Sequence, residues 1–211
     1  RQLSLNLIGS SDGPSDSQSI EPSEAPWMLV GESFDELAML PTLKAKNNYF
    51  SLYVIYFSKQ MLCYLFGEID RAIEITRILE SYSEASLGSL MSVVQNFYTS
   101  LILLAAHRSA YPPAQHLPEQ VSFNQAKMKQ WAQHAPMNHL HKYLLVEAES
   151  QAILGRPAEA IELYDRAIAL AKTNGYSQEE ALANELAGKF YLVWGKRKVA
   201  TSYLQEAYYG Y

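Results

Sequence analysis

Three imidazoles lie close together at His134, His139 and His141, and with acidic neighbours such a set could in principle hold zinc. His139 and His141 are two positions apart on an expected helix and project in different directions, so no metal site is expected. His107 and His116 flank a proline-containing stretch and read as a helix end and a solvated turn. Glu147 with Glu149, and Glu179 with Glu180, are carboxylate pairs of the kind that acid–base catalysis uses. On a helix such near neighbours do not face each other, and they read instead as solvated faces or caps. Cys63 stands inside the apolar run Met61 to Phe66, with nothing adjacent to lower its pKa, and reads as a small buried hydrophobe. Lys196-Arg197-Lys198 is a basic run at a helix start, where it opposes the dipole; it reads as a surface cluster, with an acidic partner as the alternative. Trp131, Trp194, Tyr164 and Tyr191 stand at helical spacing and read as core. No catalytic, cofactor-binding or metal-binding residue emerges, and no cofactor is expected.

These residues must be positioned by helices. The chain has 211 residues, 48% hydrophobic, enough to bury a substantial core, and no apolar run approaches a membrane-spanning stretch of about 18 residues. Residues 1–45 carry seven acids against Arg1 and Lys44, leaving the body of the chain neutral within the formal net charge of −5. A neutral body without a dense basic stripe argues against nucleic acid or anionic lipid as partner. A single cysteine excludes an intrachain disulfide and fits a reducing, cytoplasmic location. The chain begins without Met and is still helical in pattern near Tyr209, so it is expected to be a piece of something longer.

From Gly9 to Pro26 large apolar residues are scarce and chain breakers frequent, so residues 1–32 are expected to be an N-terminal segment with a flexible loop. Residues 33–211 are expected to form one helical domain. Ser33-Phe34-Asp35-Glu36 reads as a capping box, Asn47 or Asn48 as the start of a helix through Leu65, and Glu68 to Tyr82 as its partner after Gly67. A long apolar helix from about Leu87 to His107 ends before Tyr111-Pro112-Pro113. Ser122-Phe123-Asn124-Gln125 reads as another capping box, with Pro136 stopping its helix. Strand-like alternation is absent, so the expected class is all-α.

The turn glycines expose a self-similarity. Leu154-Gly155 and Trp194-Gly195 are forty residues apart, and each Gly is followed by Ala at five positions (Ala160, Ala200), a large residue at nine (Tyr164, Leu204) and Ala at twelve (Ala167, Ala207). Ala148 and Gly188 stand seven before their glycines, and Phe66-Gly67 with Ala72 shares part of the pattern. Small residues suit the points where two helices cross, with the large one filling the groove, and Gly suits a left-handed reversal. Ser177-Gln178-Glu179-Glu180 reads as the cap of the last pair, after the stop Asn174-Gly175.

This small, aromatic, small spacing resembles the second helix of tetratricopeptide repeats, although forty residues exceeds the usual period of about 34. A large residue near the start of the first helix is present as Leu144 in one repeat but replaced by Asn184 in the other. The resemblance implies a tetratricopeptide-like α-solenoid of antiparallel helical hairpins, with a groove lined by first helices. By analogy Lys142, Glu149, Glu185 and Lys189 would face that groove; they lack the Lys and Asn arrangement of chaperone-tail receptors. Asn124-Gln125-Ala126-Lys127-Met128 through Trp131-Ala132, Ala135-Pro136-Met137-Asn138-His139 and Glu179-Glu180-Ala181-Leu182-Ala183-Asn184 are similar to the helical repeat region of large bacterial multidomain sensor kinases. Phe34-Asp35-Glu36, Met39-Leu40-Pro41 and Cys63 to Gly67 extend the similarity over about residues 33–211. In that family a serine/threonine-kinase-like domain and a P-loop ATPase precede the repeats, and a GAF sensor and histidine kinase follow. No P-loop or His-Arg-Asp motif occurs here. The expected function is a non-catalytic scaffold that couples such modules or binds a protein partner; the alternative is a small-molecule effector sensor with a cavity near Leu90–Leu104.

Overall fold

Five times among the described residues a helix is reversed by the same two-residue turn, and those turns set the architecture. The computed structural model describes residues 26–31, 33–86, 88–109 and 116–211. At Gly67, Gly155, Gly175 and Gly195 the backbone turns to φ of +79°, +71°, +76° and +79°, and Asn47 does the same at +50°. In each case the N–H of the following residue reaches back five positions, as in Glu68 to Cys63 at 2.8 Å and Lys196 to Tyr191 at 2.9 Å, closing the C-terminal carbonyls of the helix before it. Glycine bears the left-handed conformation without a Cβ penalty, and Asn is the side chain that tolerates it next best.

The described residues contain nine α-helices and one two-residue β-hairpin. They fall into two compact units that divide between Ile102 and Leu103. In the first unit, β1 (Val30–Gly31) pairs antiparallel with β2 (Phe34–Asp35), Val30 opposite Asp35. Helix α1 (Glu36–Ala45) follows directly, then α2 (Tyr49–Leu65), α3 (Ile69–Glu80), a 3-10 turn (Ser83–Ser86) and the start of α4 (Leu90–Ser109). The hairpin was not expected, and it corrects the capping box read at Ser33. Asp35 is the cap, its Oδ1 accepting from Leu37 N at 2.9 Å, while the Glu36 side chain turns back to accept from Leu29 N at 3.0 Å. Asn48 caps α2 as expected, through Ser51 N at 3.2 Å. The core of this unit gathers Leu52, Tyr53, Leu62, Cys63, Ala72, Leu79, Phe97 and Leu101.

In the second unit α5 (Glu119–His134), α6 (Pro136–Ile153), α7 (Pro157–Thr173), α8 (Ser177–Val193) and α9 (Arg197–Gly210) each pack on their sequence neighbours. Helix α5 begins three residues before the capping box expected at Ser122, and Pro136, two residues past the end of α5, is the first residue of α6. A proline suits that place because the first-turn N–H has no intrahelical acceptor. Ser177 is likewise the first residue of α8, with no side-chain cap in front of it. The segments 9–25 and 111–113, expected to be loops, lie outside the described residues.

The offsets counted from the turn glycines are contacts. Ala72, Ala160 and Ala200, five residues on, are fully buried, and so are Ala167 and Ala207 to within a few per cent. At Gly195 and Gly67 the residue seven before the glycine meets the residue nine after it. A Cβ added to Gly188 would stand 2.7 Å from Leu204 Cγ, and Gln60 donates from Nε2 to Thr76 Oγ1 at 2.8 Å. The stretch Leu90–Arg108 is by length and composition apolar enough to cross a membrane, which corrects the expectation that no segment is; about half of it is buried.

Candidate functional site

Lys142 and Glu149, expected to face an open groove, are each only 3% exposed. Both lie on α6, and both are neutralised from a neighbouring helix. Lys142 Nζ is 2.8 Å from Glu179 Oε1 on α8 and 4.3 Å from the centre of the Tyr176 ring in the turn that starts that helix. It also donates to His141 Nε2 at 2.9 Å. A charged ammonium cannot accept, so His141 Nε2 must carry the lone pair and Nδ1 the proton. That Nδ1 is buried with no partner, as is His139 Nδ1. Burial first, then the Lys142 charge and His139, pulls the His141 pKa down from its ordinary value to about 3. The cluster is an ammonium held by a carboxylate, a ring face and a neutral imidazole, an arrangement that orients helices rather than one that moves protons. Among the described residues no group of three or more His, Cys, Asp or Glu is placed to hold a metal ion.

Glu149 is met from two sides. Arg108 Nη2, at the end of α4, donates to its Oε2 at 2.9 Å, and the Tyr164 hydroxyl of α7 donates to its Oε1. Tyr164, nine residues after the turn glycine, is therefore both the groove filler and the donor that satisfies a buried carboxylate. Of the four expected groove residues, only Glu185 and Lys189 remain near solvent. They pair with each other along α8, and Glu185 Oε2 accepts from the Tyr211 hydroxyl at 2.7 Å. Glu162 with Arg166 forms a looser exposed pair at 3.7 Å. Such surface pairs contribute about 0–1 kcal/mol.

Arg108 leads to a feature that the residue pattern alone had not exposed. Its side chain, with Ala152, Gly155, Pro157, Phe190, Val193 and Trp194, lines a mainly apolar pocket of about 340 Å3. That volume is at the small end of ligand-sized cavities, about 300–1,000 Å3. Trp194, read as core from its spacing, is nearly half exposed at this pocket, whereas Tyr164 and Tyr191 are buried. An Arg closing an apolar helix was the available signal, because its charge needs a carboxylate from elsewhere in the fold. The first unit has a comparable pocket of about 310 Å3, lined by Phe34, Met39, Leu43, Phe50, Ser51, Val54 and Ile55 and lacking any charged wall.

Elsewhere in the first unit a further buried ion pair joins Glu36 to Lys59, with Lys59 Nζ also 5.2 Å from the Trp27 ring centre. Cys63 is fully buried, and burial pushes its thiol up to about 12 despite the opposing Lys59 and Arg71 charges, so it is protonated and unreactive in the fold. No protein-family model, curated protein or solved structure matches the chain. What the molecule defines by its own geometry is an all-α protein whose buried charges are paired across helices.

Proposed function

We propose that the chain is a tetratricopeptide-like α-solenoid serving as a non-catalytic interaction or scaffold region of a multidomain signal-transduction kinase, coupling its modules or binding a protein partner. One observation carries the architectural part of this reading. After Gly67, Gly155 and Gly195 the same turn is followed by a fully buried Ala at five positions, and at Gly67 and Gly195 the residue seven before the glycine meets the residue nine after it. Units of that kind bury a continuous core only by stacking, and they present extended surfaces to partners. The kinase context rests on the similarity of residues 33–211 to repeat regions of sensor kinases. The non-catalytic part is supported by the state of the titratable groups: His141 is neutral and enclosed, Cys63 is a protonated thiol, and Lys142 and Glu149 are locked in ion pairs. Purified chain is expected to leave ATP unhydrolysed above the buffer rate; turnover that survives further purification overturns the reading.

A small-molecule effector sensor is the second reading, and the pocket at Arg108, Phe190 and Trp194 favours it. Its place is the end of α8 and the turn between α6 and α7, not the Leu90–Leu104 stretch where such a cavity was expected.

A further inference from the structure

Where α8 ends and α9 begins, bulky apolar side chains and cations crowd one exposed edge of the second unit. Leu192 and Trp194 are nearly half exposed and Val193 is 83% exposed, although Tyr191 just before them is buried. Trp194 and Phe190, with ring centres 5.8 Å apart, form the aromatic wall of the pocket that Arg108 also lines. No carboxylate belongs to that lining. Immediately beyond, Lys196, Arg197 and Lys198 are all exposed, and none forms an ion pair among the described residues. They stand at the N-terminal end of α9, which has no acidic residue in its first turn. Cations there oppose the helix dipole, so the cluster does not stabilise the fold that carries it. Lys196 Nζ lies 5.4 Å from the Trp194 ring centre, and exposed Arg156 sits between the pocket residues Gly155 and Pro157. Apolar pocket, apolar rim and unneutralised cations therefore share one edge.

We infer that this edge docks an acidic peptide segment of a partner protein, with one bulky apolar side chain of the peptide seated between Phe190 and Trp194. The flanking carboxylates meet Arg156, Lys196, Arg197 and Lys198. The chemistry of the two parts is complementary: a Trp-lined pocket supplies the anchor contact that dominates such interfaces, and the cations set encounter rate and orientation. A peptide fits better than a small molecule because exposed apolar surface continues past the pocket wall at Val193 onto Leu192, and the cations are spread over two turns of the chain. The inference rests on the interaction reading above but fails separately from it, since absence of peptide binding says nothing about ATP turnover.

The test uses the whole chain and fluorescence anisotropy with a labelled peptide of alternating Asp and Glu around one central Phe, beside the same peptide with Ser at the centre. The Phe peptide is expected to bind at least about tenfold more tightly, and Trp194→Ala to weaken it by about thirtyfold or more. Reversing all three charges (Lys196→Glu, Arg197→Glu, Lys198→Glu) is expected to weaken it about tenfold and to remove most of its salt dependence. If Trp194→Ala alters the circular dichroism spectrum, Val193→Asp, on a side chain already in solvent, replaces it with the same expected loss. Equal binding of the Phe and Ser peptides, indifference to these substitutions, or no binding at all overturns the inference. So does phenylbutyrate alone binding as tightly as the peptide, which would make the pocket a small-molecule site.

Discussion

The first and last helical pairs with a turn glycine, α2 with α3 and α8 with α9, solve the same crossing in opposite ways. In the last pair the residue seven before the glycine is Gly188, and Leu204 presses so close that no Cβ would fit without displacing it. In the first pair the same position holds Gln60, fully buried, whose amide donates to Thr76 at 2.8 Å and to Thr99 at 3.0 Å. Thr76 in turn donates to Ala72 O at 2.7 Å. The turn and the buried Ala five residues after it are shared; the crossing contact is not. One uses close apolar approach, the other a polar set out of reach of water, in which the Gln60 amide donates twice while its Oε1 has no partner. The buried ion pairs differ in the same sense: Lys59 with Glu36 is enclosed on both sides, whereas Arg108 opposite Glu149 is a third exposed.

The contrast can be broken or sharpened by substitution. Lys59→Met should cost about 3–5 kcal/mol, since it strands a carboxylate that water cannot reach. Arg108→Met should cost clearly less in the same urea titration, because the Arg108 side chain is a third exposed and water can take its place beside Glu149; equal losses would remove the difference between the two units. Gly188→Val should cost about 2–3 kcal/mol by overpacking, and Leu204→Ala in the same chain should recover part of it. Gln60→Ala should cost about 2 kcal/mol through a cavity and two hydroxyls left without their donor. Adding Thr76→Leu, which gives the first pair the small and large residues of the last, should restore part of that loss if the two crossings are interchangeable.

A further effect is set by pH and falls on the second unit, because all five histidines lie beyond residue 102. The His141 pKa is about 3 in the fold and near its ordinary value of 6.5 when unfolded. Between those values the unfolded chain binds the extra proton, so stability is full above about pH 6.5 and declines as pH falls, by up to about 1.4 kcal/mol per unit. His139, whose pKa burial and Lys142 also lower, adds in the same direction. Melting temperature followed downward from pH 7 should fall, and His141→Phe should flatten the slope; an unchanged slope would mean that the imidazole is not held neutral.

Much of this was legible in the residues. The glycine turns, the alanines five and twelve positions beyond them, the all-helical class and the inert Cys63 follow from spacing and from what a left-handed turn or a tight crossing admits. The capping boxes at Ser33, Ser122 and Ser177 were misplaced because the motif rests only on local side-chain acceptors. Asp35 takes the cap after an unforeseen hairpin, while Pro118 and Tyr176 begin their helices with no side-chain cap at all. Lys142 and Glu149 illustrate the other kind of failure. A helical position and a charge mark a residue as solvent-facing until its partner is known, and the partners Glu179, Arg108 and Tyr164 lie 37, 41 and 15 residues away.

Sequence by itself thus determined where the helices turn, since φ preference and small-residue packing are properties of single residues and short offsets. Tertiary structure alone decided which charges are buried and which are left to solvent. Burial of a charge depends on a carboxylate or cation arriving from another helix at hydrogen-bonding distance, and no local spacing encodes that meeting.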